Sequence, residues 1–113
     1  MQFISLVIED PSAEPYDPAL DNIQDWVREG TERGILLRGD RLRPVAEAQV
    51  VARRDGEVLV TQGPFAELTE LVAGYDVLEC TDLDEAIEFV ARHPMARFGA
   101  IELRPVWPFD EEA

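Results

Sequence analysis

An α+β domain of ferredoxin-like order, carrying an added β-hairpin, is predicted by three features of this 113-residue sequence. Two apolar strand-like runs, Phe3 to Ile8 and Val72 to Glu79, are each followed by a stripe of apolar residues at helical spacing. Two β-rich runs between these units are joined by Asp55-Gly56, a pair that supplies both positive φ angles of a tight hairpin turn. A final alternation sets Ile101 and Leu103 against Glu102 and Arg104 before Pro105. Strand, helix, hairpin, strand, helix, strand is the resulting order, and right-handed crossovers place both helices on one face of the sheet. The opposite face is left open. A partly apolar open face on so small a domain predicts an interface, and pairing with a second copy of the chain is the expected use.

The elements follow in order. Phe3-Ile4-Ser5-Leu6-Val7-Ile8 is apolar at both parities, the mark of a central strand. Asp17-Pro18 predicts a helix start and Gly34 its close, giving a helix over 18–33 with Leu20, Ile23 and Val27 inward and Trp26 beside them. Ile35-Leu36-Leu37 predicts a short extended piece before Gly39-Asp40, and Pro44 keeps it from continuing as a central strand. Gln49 to Arg54 and Glu57 to Thr61 form the hairpin, which Gly63-Pro64 ends. Along 72–79, Tyr75, Val77 and Glu79 point one way, and Gly74, Asp76 and Leu78 the other. Asp82 with Glu85 makes a capping pair for a helix whose stripe is Leu83, Ala86, Ile87, Val90 and Ala91, stopped by His93-Pro94. One domain over 1–109 and an acidic tail over 110–113 complete the reading.

Composition excludes much. All 10 basic residues are arginine against 24 acidic ones, a net charge of −14. Without lysine there is no Schiff base and no Walker-type phosphate loop. A surface this acidic is unsuited to nucleic acid or to acidic membranes. No apolar stretch is long enough to span a bilayer and no signal peptide is expected, so a cytoplasmic location is the reading. A lone cysteine gives no disulfide framework, and one His with one Cys builds no closed metal site. No cofactor is expected.

His93 is the natural general acid or base, since its ordinary pKa alone lies near neutrality. Its partner is sought among Glu67, Glu70, Asp76 and Tyr75, on segments bordering one cleft. The alternative is an imidazolium capping the C-terminus of the preceding helix. Gly63-Pro64-Phe65 can form a backbone lip over a ligand, or a bare turn. Glu67 and Glu70, three apart, share one side of a helical turn and raise one another's pKa, or stay solvated. Tyr75 offers a hydroxyl to a ligand, or packs across the sheet. Arg104 and Arg97 fit an anionic substrate, or pair internally. Cys80 reads as buried filler.

The runs Val60-Thr61-Gln62-Gly63-Pro64-Phe65-Ala66-Glu67, Gly74-Tyr75, Asp82-Leu83-Asp84-Glu85-Ala86, His93-Pro94 and Glu102-Leu103-Arg104-Pro105-Val106 stand in an order that resembles the YCII-related family, in its DGPF branch. The resemblance implies a homodimeric ferredoxin-like α/β barrel, bacterial and cytoplasmic. It implies no established reaction, and it strengthens the Gly63 to Phe65 turn as a lip over a ligand; the roles offered for His93, Glu67, Glu70, Tyr75 and Arg104 rest on the residues themselves. The branch's motif Asp is Gln62 here and its common Lys is Thr69. The first helix lacks the histidine of the family's proposed His–Asp site, and His93-Pro94 stands where that site has Asp-Pro.

Two functions of different class follow. One is a small-molecule-binding protein with His-based acid/base chemistry in a cleft near the dimer interface. The other is a non-catalytic regulatory module, with a protein partner in sigma-factor-linked transcription.

Overall fold

The computed structural model describes residues 1–63 and 71–112. In chain order the elements are β1 (Gln2–Ile8), α1 (Ile23–Glu32), β2 (Leu36–Arg41), β3 (Gln49–Arg54), β4 (Glu57–Gln62), β5 (Val72–Glu79), α2 (Leu83–Ala91), α3 (Pro94–Phe98) and β6 (Ala100–Pro105). Four strands form an antiparallel sheet in the order β2-β5-β1-β6, while β3 and β4 form a sheet of their own. The fold is therefore ferredoxin-like α+β with an inserted hairpin.

β1 is central, as its doubly apolar pattern requires. Phe3, Ser5 and Val7 turn to the helices and are buried, and across the register they meet Leu78, Asp76 and Gly74 of β5. Ile4, Leu6 and Ile8 lie on the other face, half-buried. Both helices do cover one face. Trp26 of α1 and Ala86, Phe89 and Val90 of α2 close over Phe3 and Leu78 in one apolar cluster. The short extended piece expected at 35–37 is instead the start of a full edge strand, with a bulge between Leu36 and Arg38. The tight turn at Asp55-Gly56 has φ of 51° and 80°, as the dipeptide predicts.

Both predicted helices differ in detail. Residues 18–20 form a single 3-10 turn, and α1 begins only at Ile23. Asp17 accepts the Ala19 N–H at 3.0 Å and Asp21 accepts the Ile23 N–H at 3.0 Å, so two side chains take donors that would otherwise enter one continuous helix. The inward residues of α1 are Trp26 and Gly30, and Leu20 and Val27 are exposed. In α2, Leu83 and Ile87 are also exposed, because the helix is turned to bring Phe89 inward. The Phe89 ring stacks on Trp26 at 4.3 Å between centroids. It occupies the space above Gly30, where a Cβ would collide with the ring and come within 3.0 Å of Leu36 Cβ. The α2 cap forms as expected: Glu85 N–H donates to Asp82 at 2.8 Å, and the Glu85 carboxylate reaches back to the Thr81 N–H at 3.0 Å.

No helix among the described residues is long and apolar enough to cross a membrane. Alanine in place of a mid-helix glycine ordinarily stabilises by about 1 kcal/mol. Here Gly30→Ala is expected to destabilise by about 1–3 kcal/mol, because the added methyl overpacks the Phe89 contact. Urea denaturation followed by circular dichroism checks the sign.

Candidate functional site

Pro94 fixes the chemistry at the end of α2. A residue before proline is held extended, and His93 is, with φ −65° and ψ 134°, so α2 cannot continue through it. Proline at the first helical position then starts the five-residue α3, for which His93 is the N-cap. The imidazole therefore caps the following helix rather than the C-terminus of the preceding one. Its Nδ1 accepts the Met95 N–H at 2.9 Å, which puts the ring proton on Nε2. The ring sits edge-on to Trp26 at 4.6 Å. His93 is 7% exposed, and this burial depresses its pKa to about 4, against a smaller upward pull from Asp21. At neutral pH it is a neutral ring with one free donor, Nε2–H.

The same cleft holds a carboxylate in the opposite condition. Asp76 is 8% exposed on the helix-covered face of β5. Burial raises its pKa to about 6, with a further push from the Asp40 charge. Room for the carboxylate comes from Gly39, its partner across the β2–β5 register: any Cβ there would strike Asp76 Oδ1. A glycine inside a strand often marks such a close approach. Ser5, opposite Asp76 on β1, is fully buried, and its hydroxyl has no partner among the described residues.

Between α1, the start of α3 and the β2–β5–β1 end of the sheet lies a cavity of about 620 Å³. Its apolar wall includes Val7, Ile23, Trp26 and Val27, with Pro94 and Met95 beyond. His93 and Asp76 both face it, and Asp21, Asp40 and Arg41 stand around them. A buried acid titrating near neutrality and a fixed neutral donor can together hold a small molecule and exchange a proton with it. Among the described residues no cluster of three or more His, Cys, Asp and Glu could hold a metal ion.

Of the residues singled out in the sequence, His93 and Tyr75 border this cleft, and Asp76 joins them. Tyr75 is at the rim, since its register with Leu6 and Asp40 turns it to the open face of the sheet. Pro64, Phe65, Glu67 and Glu70 lie outside the described residues. Gly63, with φ of 99°, ends β4 and does not line the cleft. Arg104 is exposed on the open face opposite Ile4, which removes it from this site, and Arg97 is paired with Glu14 at 2.6 Å. Cys80 is buried, its thiol pushed up by desolvation. Gly39 and Trp26 are the residues that sequence reasoning passed over as parts of the site. A glycine within an extended run was the available signal for the first.

A ferredoxin-like α+β domain with a polar-floored cleft is the class that fold and site define. The chain belongs to the YCII-related domain family, whose model matches residues 1–110. It is 36% identical over 97 residues to the uncharacterized protein R00369 of Rhizobium meliloti (strain 1021), covering 84% of this chain and 78% of that protein. Among solved structures it is similar to 5-chloro-2-hydroxyhydroquinone dehydrochlorinase of Burkholderia phenoliruptrix AC1100, in complex with 2,5-dihydroxybenzoquinone. That match has a TM-score of 0.48 and 14% identity, over 95% of this chain and 94% of the other. A similarity of that size carries neither ligand nor reaction across.

The two buried groups load stability in opposite directions. Asp76 holds its proton more tightly folded than unfolded, so it favours the fold at low pH, and this is lost as pH rises from about 4 to about 6. His93 holds its proton less tightly folded than unfolded, so its contribution is whole above 6.5 and is lost as pH falls to about 4. Asp76→Asn is expected to be more stable than wild type by about 1–3 kcal/mol at pH 8, with the difference vanishing near pH 4. The deficit of His93→Gln is expected to shrink over 6.5 to 4. Chemical denaturation of the three proteins across pH 4–8 reads both trends.

Proposed function

We propose that this protein binds a small, largely apolar molecule bearing a carbonyl or hydroxyl group in the His93–Asp76 cleft, and that Asp76 exchanges a proton with it. The observation that carries the reading is the placement of a desolvated carboxylate and a neutral imidazole against one cavity with an apolar wall. Each group has a distinct part. Asp76, with its pKa raised to about 6, is present in both protonation states near neutrality and so can serve as acid or base. His93 keeps Nδ1 engaged by Met95 N–H and presents Nε2–H, a donor for an oxygen on which negative charge develops. A neutral imidazole in that role is a known solution to stabilising an enolate-like oxygen. The acid/base part thus falls to Asp76, and His93 orients and polarises.

The wall selects by shape and dryness. Trp26, Ile23 and Val27 favour an apolar body, while a ligand oxygen meets the polar floor. Asp21 and Asp40 against Arg41 leave the surroundings net acidic, which disfavours a strongly anionic ligand.

Phenol and acetophenone are suitable probes in a protein-observed NMR titration of the full chain. Binding that perturbs His93 and weakens about five- to tenfold in Asp76→Asn and in His93→Gln is the expected outcome, equivalent to about 1–1.4 kcal/mol. Equal binding by wild type and both variants, or probe contacts confined to surface residues, would contradict the reading.

A further inference from the structure

Ser5 stands apart from its neighbours in the core. The helix-covered face of β1 is apolar at Phe3 and Val7, and alternation calls for a third apolar residue between them. The residue there is a serine, 0% exposed, whose hydroxyl finds no partner among the described residues. Buried hydroxyls are as a rule hydrogen-bonded, and one left idle costs the fold stability, so a group that uses it in some state of the protein is called for. The register supplies one. Ser5 is directly opposite Asp76, on the same buried face. Side chains so paired have Cβ atoms about 5 Å apart, close enough for a hydroxyl and a carboxylate to meet at about 2.7 Å.

The structure shows the carboxyl turned the other way. β2 and β1 flank β5 on opposite sides, and Asp76 Oδ1 fills the space over Gly39 of β2 that a Cβ would need. That place suits a neutral acid better than an anion, because the charge of Asp40, next to Gly39 on β2, opposes ionisation. The other titratable groups around it are Arg41 of β2, Tyr75 of its own strand, Asp21 ahead of α1 and His93 between α2 and α3; β1 contributes none. We infer that Ser5 is a positioning residue for Asp76: on ionisation the carboxylate turns from Gly39 toward β1 and accepts the Ser5 O–H. The anion thereby moves away from Asp40 and gains a charge-assisted hydrogen bond. One oxygen is held by Ser5, and the other is left to face the cavity and take the proton back. The inference rests on the reading of Asp76 as the group that exchanges a proton with a ligand, and adds how its two states are placed.

A ¹³C NMR titration of the Asp76 carboxyl in Ser5→Ala, on the full chain, tests it. The substitution removes one oxygen and leaves the Cβ in the core, so the variant is expected to fold. Its Asp76 midpoint is expected to lie about half a unit to one unit above the wild-type value, since the anion loses its donor. Urea denaturation gives a second readout. At pH 4, where Asp76 is protonated, Ser5→Ala should unfold at a urea concentration equal to or above that of wild type, because an idle buried hydroxyl has gone. At pH 8 it should unfold below wild type, and this reversal should disappear when both proteins carry Asp76→Asn. A raised wild-type midpoint that Ser5→Ala leaves unchanged overturns the role of Ser5 while the proton-exchange reading stands. So does a stability change that is the same at pH 4 and pH 8, or a reversal that persists with Asp76→Asn. A wild-type midpoint at the ordinary 3.8 overturns that reading and the inference with it.

Discussion

The indole of Trp26 joins everything that the site requires. Its N–H donates to the carbonyl of Phe89 at 2.8 Å, fastening α1 to the last turn of α2, and its ring stacks on the Phe89 side chain. The Phe89 carbonyl also accepts the Arg92 N–H at 3.3 Å, so the indole is its second donor and closes two helices over one sheet face. The same ring meets His93 in a T-shaped contact. Asn22 adds a second tie, from its amide to the Arg92 carbonyl at 3.2 Å, and Arg92 pairs with Glu29 at 2.6 Å. One apolar residue thus builds the core, the helix joint and the cleft wall.

Burial then sets the electrostatics. Water kept from the floor of the cleft disfavours every charge there, so a carboxylate is pushed toward its neutral acid and an imidazole toward its neutral base. The result is an acid and a base whose ordinary order of protonation is reversed: Asp76 titrates near 6 and His93 near 4. The protein bears the cost of one desolvated anion above neutrality. Retaining a buried group at such a cost is commoner at functional sites than elsewhere, which is why the pair outweighs other polar residues as the candidate site.

Much of the fold was legible because it is written in strong local signals. Phe3 to Ile8 could only be a central strand, Asp55-Gly56 a tight turn, and Asp82 with Glu85 a helix start. The departures have one physical source, tertiary contacts that override local pattern. Phe89 outweighed Leu83 and Ile87 in choosing which side of α2 turns inward, because an aromatic pair with Trp26 buries more area than either aliphatic residue. Asp21 broke the expected long first helix by taking a donor that periodicity cannot see. At the site, His93 was legible as the residue of interest from its type alone. Its tautomer was not, since that depends on a short helix starting at Pro94. Asp76 was visible only as one of several carboxylates, because its raised pKa arises from burial in the folded cleft and from the Asp40 charge on another strand.

Burial of the cleft floor keeps the Asp76 carboxyl protonated well above the ordinary range. A ¹³C NMR titration of that side chain in the full chain measures this directly. A midpoint near 6 is the predicted result. A midpoint at the ordinary aspartate value of 3.8 would mean that water reaches the carboxylate freely, and that the site has no group poised to exchange a proton near neutrality.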